Sequence, residues 1–83
     1  MDIRNKVAIV TGGASGIGTG IAKRFAAEGA RGIVVADINL ERAQGVAREI
    51  GDTAMAVRCD VSQEADIQAL VAATRERFGQ VEM

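Results

Sequence analysis

An α/β fold built on a parallel sheet is predicted by two features of this 83-residue chain. Three short apolar runs, Val7-Ala8-Ile9-Val10, Ile33-Val34-Val35-Ala36 and Ala54-Met55-Ala56-Val57, alternate with three longer stretches whose apolar residues recur at helical spacing. The junctions between runs and stretches carry glycine or short polar residues, as turns require. Strands that alternate with helices of this length join by right-handed crossovers and so lie parallel.

The first run is apolar at every position, as in a strand covered on both faces. Residues from about Gly16 to Ala30 form the first predicted helix, with Ile17, Ile21, Ala22, Phe25 and Ala26 on one face and Lys23, Arg24 and Glu28 elsewhere. Gly29 suits its end, where a left-handed residue is needed. The second strand, Ile33 to Ala36, runs out at Asp37. Asn39 is placed to cap the second helix, whose buried face reads Leu40, Ala43, Ala47 and Ile50, and Gly51 closes it. Gly45 falls inside that helix, at about 1 kcal/mol relative to Ala. The third strand, Ala54 to Val57, is the least apolar in bulk and reads as a sheet edge. Ser62 is the candidate cap of the third helix, with Glu64 and Asp66 in its first turn and Ile67, Leu70, Val71, Thr74 and Phe78 on its inner face. Gly79 ends it, and Val81-Glu82-Met83 would begin a fourth strand. The expectation is therefore one domain over residues 1–83, made of three β-α units and a strand stub.

Composition narrows the function. A chain this short buries only about 60% of the surface its unfolded form exposes, so stability is expected to be marginal. Net charge is −1 with the signs interspersed, which offers no basic stripe to a nucleic acid or an anionic membrane. There is no His and one Cys, Cys59, so no metal site and no internal disulfide are expected. The apolar stretch near the N-terminus is too short for a signal-peptide core or a membrane span, and a cytoplasmic location is the expectation.

Chemistry concentrates in Thr11-Gly12-Gly13-Ala14-Ser15-Gly16-Ile17-Gly18, between the first strand and the first helix. Glycines there let the backbone turn tightly and approach an anion, while the helix N-terminus offers unpaired N–H groups and a favourable dipole. The pyrophosphate of a dinucleotide suits this place. A nucleoside-triphosphate loop is excluded, because Thr19-Gly20 follows where Lys and then Ser or Thr are needed. Asp37 lies 19 positions after Gly18, near the roughly 20-residue offset of an acid that accepts hydrogen bonds from the adenosine ribose. Its carboxylate would repel the 2′-phosphate of NADP(H), and neither Ala36 nor Ile38 offsets that with a positive charge. The cofactor expected is NAD. A partial Rossmann fold is thus the expected architecture. A methyltransferase would place an acid where Thr11 stands.

Across essentially all of its length the chain resembles the short-chain dehydrogenase/reductase family, through Thr11-Gly12-x-x-x-Gly16-x-Gly18, the strand-end Asp37 and Cys59-Asp60-Val61. The resemblance implies that backbone groups near Ser15 and Ile17 hold the phosphates and the nicotinamide side. It also implies that Asp60 meets the adenine amine and that Val61 flanks the ring. Cofactor-binding candidates are therefore Gly12, Ser15, Gly16, Ile17, Gly18, Asp37, Asp60 and Val61. Cys59 is expected to be an inert core residue. The family's reaction moves a hydride between nicotinamide and an alcohol or carbonyl substrate, with a tyrosine, a lysine four residues later, a serine and usually an asparagine. The chain contains no Tyr, and its two lysines, Lys6 and Lys23, precede any such pair, so no catalytic residue carries over. The leading expectation is the cofactor-binding N-terminal portion of an oxidoreductase, with weak NAD(H) binding and no turnover by the chain alone. The alternative is a non-catalytic dinucleotide-binding module, or a degenerate remnant, that associates through an exposed sheet edge. Homo-oligomers fit either.

Overall fold

The predicted alternation is what folds: β1 (Val7–Thr11), α1 (Gly16–Ala27), β2 (Gly32–Asp37), α2 (Leu40–Ile50), β3 (Ala54–Arg58) and α3 (Glu64–Phe78). The computed structural model describes residues 3–12 and 15–79, so the expected fourth-strand stub at Val81-Glu82-Met83 lies outside the described residues, as do Gly13 and Ala14. The described strands form one parallel sheet in the order β1-β2-β3, with Val7 opposite Gly32 and Ile33 opposite Ala54. β3 lies at an edge, as its composition suggested.

β2 is the spine, and its alternate side chains feed two cores because successive strand residues face opposite ways. Ile33 and Val35 join Ala8, Val10, Ala22, Ala43 and Val46 beneath α1 and α2. Val34 and Ala36 join Cys59 and Leu70 beneath α3, with Ile9, Met55, Val57 and Phe78 packed around them. Ile33, Val34 and Val35 are fully buried, and each such side chain contributes about 1.5–3 kcal/mol relative to exposure. Thr74 is buried too, and its Oγ1 donates to the Leu70 carbonyl at 2.8 Å, which satisfies the hydroxyl.

Four local expectations are corrected. α1 stops at Ala27, not Ala30, because Gly29 (φ 89°) turns the chain and the Ala30 and Gly29 amides reach back to the Phe25 and Ala26 carbonyls at 3.1 Å. Its inner face is Gly18 and Ala22, with Phe25 and Ala26 beside them, while Ile17 is 82% and Ile21 42% exposed. Small residues let this helix lie close to the sheet, and the larger isoleucines fall outside that contact. In α2 the buried pair is Ala43 and Val46, and Leu40, expected inside, is 38% exposed. In α3, Leu70 and Thr74 are buried, whereas Ile67, one turn nearer the loop, is 41% exposed.

The cap predictions divide. Asn39 caps α2, its side chain accepting from the Arg42 amide at 3.1 Å. Ser62 does not cap α3. The N-cap is Gln63, without a side-chain hydrogen bond, and both the amide and hydroxyl of Ser62 donate to Asp60 Oδ1 instead. The helix start offers only N–H donors, whereas the carboxylate two residues back is a charged acceptor for both the hydroxyl and the amide of Ser62.

Candidate functional site

All three strands point their carboxyl ends the same way, which brings Thr11, Asp37 and Arg58 to one edge with the loops that follow them. In open α/β sheets that edge is where ligands bind. A cavity of about 270 Å³ opens there, lined by Gly12, Asp37, Ile38, Cys59, Asp60 and Val61. Four of the eight residues singled out from the sequence thus share one cavity. Ile38 and Cys59 are additional lining residues.

The glycine turn is built around Ser15. Gly12 takes φ 67°, a left-handed conformation that L side chains rarely adopt, and its carbonyl accepts from both the amide (3.0 Å) and the hydroxyl (2.7 Å) of Ser15. The same hydroxyl accepts from the Gly18 amide at 3.1 Å, which makes Ser15 the N-cap of α1. The amides of Gly16 and Ile17 occupy the first two helical positions, where no carbonyl of the helix reaches back to them. A Cβ built on Gly16 would meet no atom within 4 Å. The chain itself therefore does not require glycine there for space. Gly18 is buried, its amide committed to the cap, so it packs the helix rather than facing outward.

Asp37 ends β2 half-buried, and its Oδ1 accepts the Asn39 amide at 2.9 Å, which fixes the carboxylate at the mouth of the cavity. Asp60 is held in a similar way. Its Oδ1 accepts the Ser62 hydroxyl at 2.7 Å and the Ser62 amide at 3.0 Å. Those two bonds, the hydroxyl first, hold the Asp60 carboxyl below the usual carboxylate range and keep it ionised at neutral pH. Val61 is 58% and Ile38 59% exposed, which gives the cavity an apolar rim beside two acids. Cys59 is buried, and burial, reinforced by the nearby Asp66 and Asp60 charges, pushes its thiol up. It stays neutral, as the sequence suggested.

A larger cavity, about 350 Å³, lies between Arg48, Gly51, Asp52 and Arg77 at the amino end of β3. Its Arg77 is already committed, with Nη2 donating to the Asp52 carbonyl at 2.8 Å and Nη1 to that of Ala54 at 3.4 Å. The smaller cavity at the carboxyl edge is the functional candidate. Among the described residues no group of three or more His, Cys, Asp or Glu could hold a metal ion, and no helix is long and apolar enough to cross a membrane.

A parallel β-α sheet with a serine-capped glycine turn and acids at its carboxyl edge defines a partial Rossmann-type nucleotide-binding class. The model of the short chain dehydrogenase family matches residues 6–83, and the chain belongs to that family. It is 49% identical over 76 residues to an uncharacterized oxidoreductase of Mycobacterium bovis, covering 89% of this chain and 30% of that protein. It is 48% identical over 83 residues to galactitol 2-dehydrogenase of Agrobacterium fabrum, covering 100% of this chain and 32% of that one. The crystal structure of a 3-ketoacyl-(acyl-carrier-protein) reductase from Brucella melitensis complexed with NADH superposes with a TM-score of 0.91 at 49% identity, over 95% of this chain and 32% of that one. The chain thus spans about a third of the length of these relatives.

Proposed function

We propose that residues 1–83 are the N-terminal, NAD(H)-holding part of a short-chain dehydrogenase that interconverts an alcohol and a carbonyl compound. The observation that carries this reading is the convergence of Gly12, Asp37, Asp60 and Val61 on one cavity beside the serine-capped start of α1. The residues fit a dinucleotide. Open space at Gly16 and the first-turn amides of Gly16 and Ile17 suit a pyrophosphate, and Ile17 stands exposed beside them. Asp37 suits the ribose hydroxyls and disfavours a 2′-phosphate, which sets NAD above NADP. Asp60 and the apolar Val61 suit the edge and the face of adenine. When bound, the nicotinamide supplies the hydride acceptor or donor. The chain's own part is to bind and orient: the Ser15 cap holds the turn, and Asp37 discriminates between cofactors.

The names of the relatives, a dehydrogenase, an oxidoreductase and an NADH-complexed reductase, favour this reading over a non-catalytic module. With no Tyr and no His, these 83 residues supply no tyrosine for the family's proton transfer, and no turnover is expected from them alone. Substitution of the selecting acid tests the reading. Asp37→Ser should weaken NADH on the order of tenfold, about 1.4 kcal/mol, and narrow or invert the preference over NADPH. Unchanged affinity for both cofactors would refute the role of Asp37.

A further inference from the structure

Among the described residues the sheet ends at β3, whose outer side faces no further strand. The register with β2 commits alternate backbone groups of β3 inward, as the Ile33 amide on the Thr53 carbonyl (2.8 Å) and the Cys59 amide on the Asp37 carbonyl (3.0 Å) show. The N–H and C=O groups of Ala54, Ala56 and Arg58 therefore point outward, a template on which another strand could pair. The chain closes the amino half of this edge itself. The Ala54 amide donates to the Gly51 carbonyl at 3.0 Å. Arg77, in the last turn of α3, donates from Nη1 to the Ala54 carbonyl at 3.4 Å and from Nη2 to the Asp52 carbonyl at 2.8 Å. A basic residue in a last helical turn ordinarily serves its own helix end. This one reaches across to a strand. Its guanidinium lies 5.0 Å from the centre of the Phe78 ring, and the Phe78 carbonyl accepts from Arg31 Nη1, so the helix end that carries it is fastened in place. At the other end of β3 stands the charge of Arg58, 3.4 Å from the Asp66 Oδ2 that also accepts the Asp60 amide at 3.0 Å. Only Ala56 and Arg58 keep open outward backbone.

We propose that Arg77 is an edge guard: it occupies the outward carbonyls that the β3 strand of a second copy would need, and so keeps the chain from pairing edge to edge through β3. The planar guanidinium carries several donors in a fixed fork, which suits two carbonyls on the same side of a strand. An incoming strand would have to displace both bonds, each contributing about 0.5–1.5 kcal/mol net. What remains open, at Ala56 and Arg58, is shorter than the roughly five to six residues of an ordinary strand. The guard matters because the edge is otherwise bland. Ala54-Met55-Ala56-Val57 holds no charge and no proline, the features that usually blunt an edge, and such a stretch is compatible with a copy of itself.

The test is sedimentation velocity over a concentration series on the intact chain, Arg77→Met, Ala56→Pro and the double variant, with circular dichroism to check folding. Arg77→Met keeps an apolar stem beside Phe78 and deletes both donors. It should raise the self-association constant on the order of tenfold, about 1.4 kcal/mol. Proline at position 56 removes an outward N–H and no bond to β2, which an edge strand tolerates. The double variant should therefore return to the value of the intact chain, and Ala56→Pro alone should leave that value unchanged. No rise in Arg77→Met overturns the proposal. So does a rise that persists in the double variant, because association then runs through β1 or through unfolded chains. A lower value in Ala56→Pro alone would show that β3 already pairs in the intact chain, which also overturns it. Should Arg77→Met not fold, Arg77→Lys, which keeps charge and stem without the fork, takes its place with the same expected rise and the same reversal. Arg77 lies at the opposite end of the sheet from the candidate cofactor cavity, so none of these outcomes bears on the dinucleotide reading.

Discussion

The two ends of the sheet use glycine for opposite purposes. At the amino end, a Cβ on Gly32 would come within 2.6 Å of the Phe78 ring, so the first residue of β2 is glycine because α3 lies against it. Arginines tie the loops there: Arg77 to the Asp52 carbonyl at 2.8 Å, and Arg31 Nη1 to that of Phe78. At the carboxyl end, a Cβ on Gly16 would meet nothing within 4 Å, and the surrounding Ile17, Ile38 and Val61 are exposed. At Gly32 the space is filled by the chain's own Phe78 ring. At Gly16 it is left open, which suits the proposed dinucleotide.

Substitutions at the two glycines should therefore separate stability from binding. Gly32→Ala forces the Phe78 ring to move and should cost about 1–3 kcal/mol of stability by denaturant unfolding. Combined with Phe78→Ala it should cost less than the sum of the two single changes, since the clash is removed with the ring. Full additivity would show that the contact is not what makes Gly32 necessary. At the open end, Gly16→Val should leave the unfolding midpoint nearly unmoved and weaken NADH on the order of tenfold, about 1.4 kcal/mol. A large loss of stability with binding retained would reverse the comparison.

Smaller effects sharpen it. Gly45 sits inside α2, where a Cβ would meet nothing within 4 Å, and nothing in the structure explains a glycine there. Gly45→Ala should stabilise the fold by about 1 kcal/mol, read as a higher denaturant midpoint with unchanged NADH affinity. The smallest effect is the pH dependence at Asp60. Its folded carboxyl lies below its ordinary range because of Ser62. The associated stabilisation is thus complete above the ordinary carboxylate pKa and is lost as pH falls through the lowered folded value. Ser62→Ala should shift the chemical-shift titration of Asp60 upward, and an unmoved titration would contradict the assigned cause.

Much of this was legible in the residues. Three apolar runs give three strands, and Asn39, a short polar residue ahead of an amphipathic stretch, caps as that pattern implies. Asp37 is read from its distance to the glycine turn. What was illegible depends on which of two competing contacts a residue makes. Periodicity grouped Ile17 and Ile21 with Ala22, but the helix approaches the sheet through Gly18 and Ala22, and helical spacing does not reveal which edge of an apolar stripe is pressed inward. Ser62 had two uses within reach, accepting an amide of the helix ahead or donating to a carboxylate behind, and the choice is made by the carboxylate of Asp60 and the Asp66 tie that holds its backbone. The cavity's Ile38 carries no sequence signal beyond its place after Asp37, since an exposed isoleucine is informative only once the surface around it is known.

The most direct measurement is parallel isothermal titration of the chain with NADH and NADPH under identical buffer and salt. Asp37 at the end of β2, with no positive charge at Ala36 or Ile38, predicts measurable NADH binding that is at least several-fold tighter than NADPH binding. Equal affinities, tighter NADPH, or no binding of either would contradict the assignment of this edge as an NAD site.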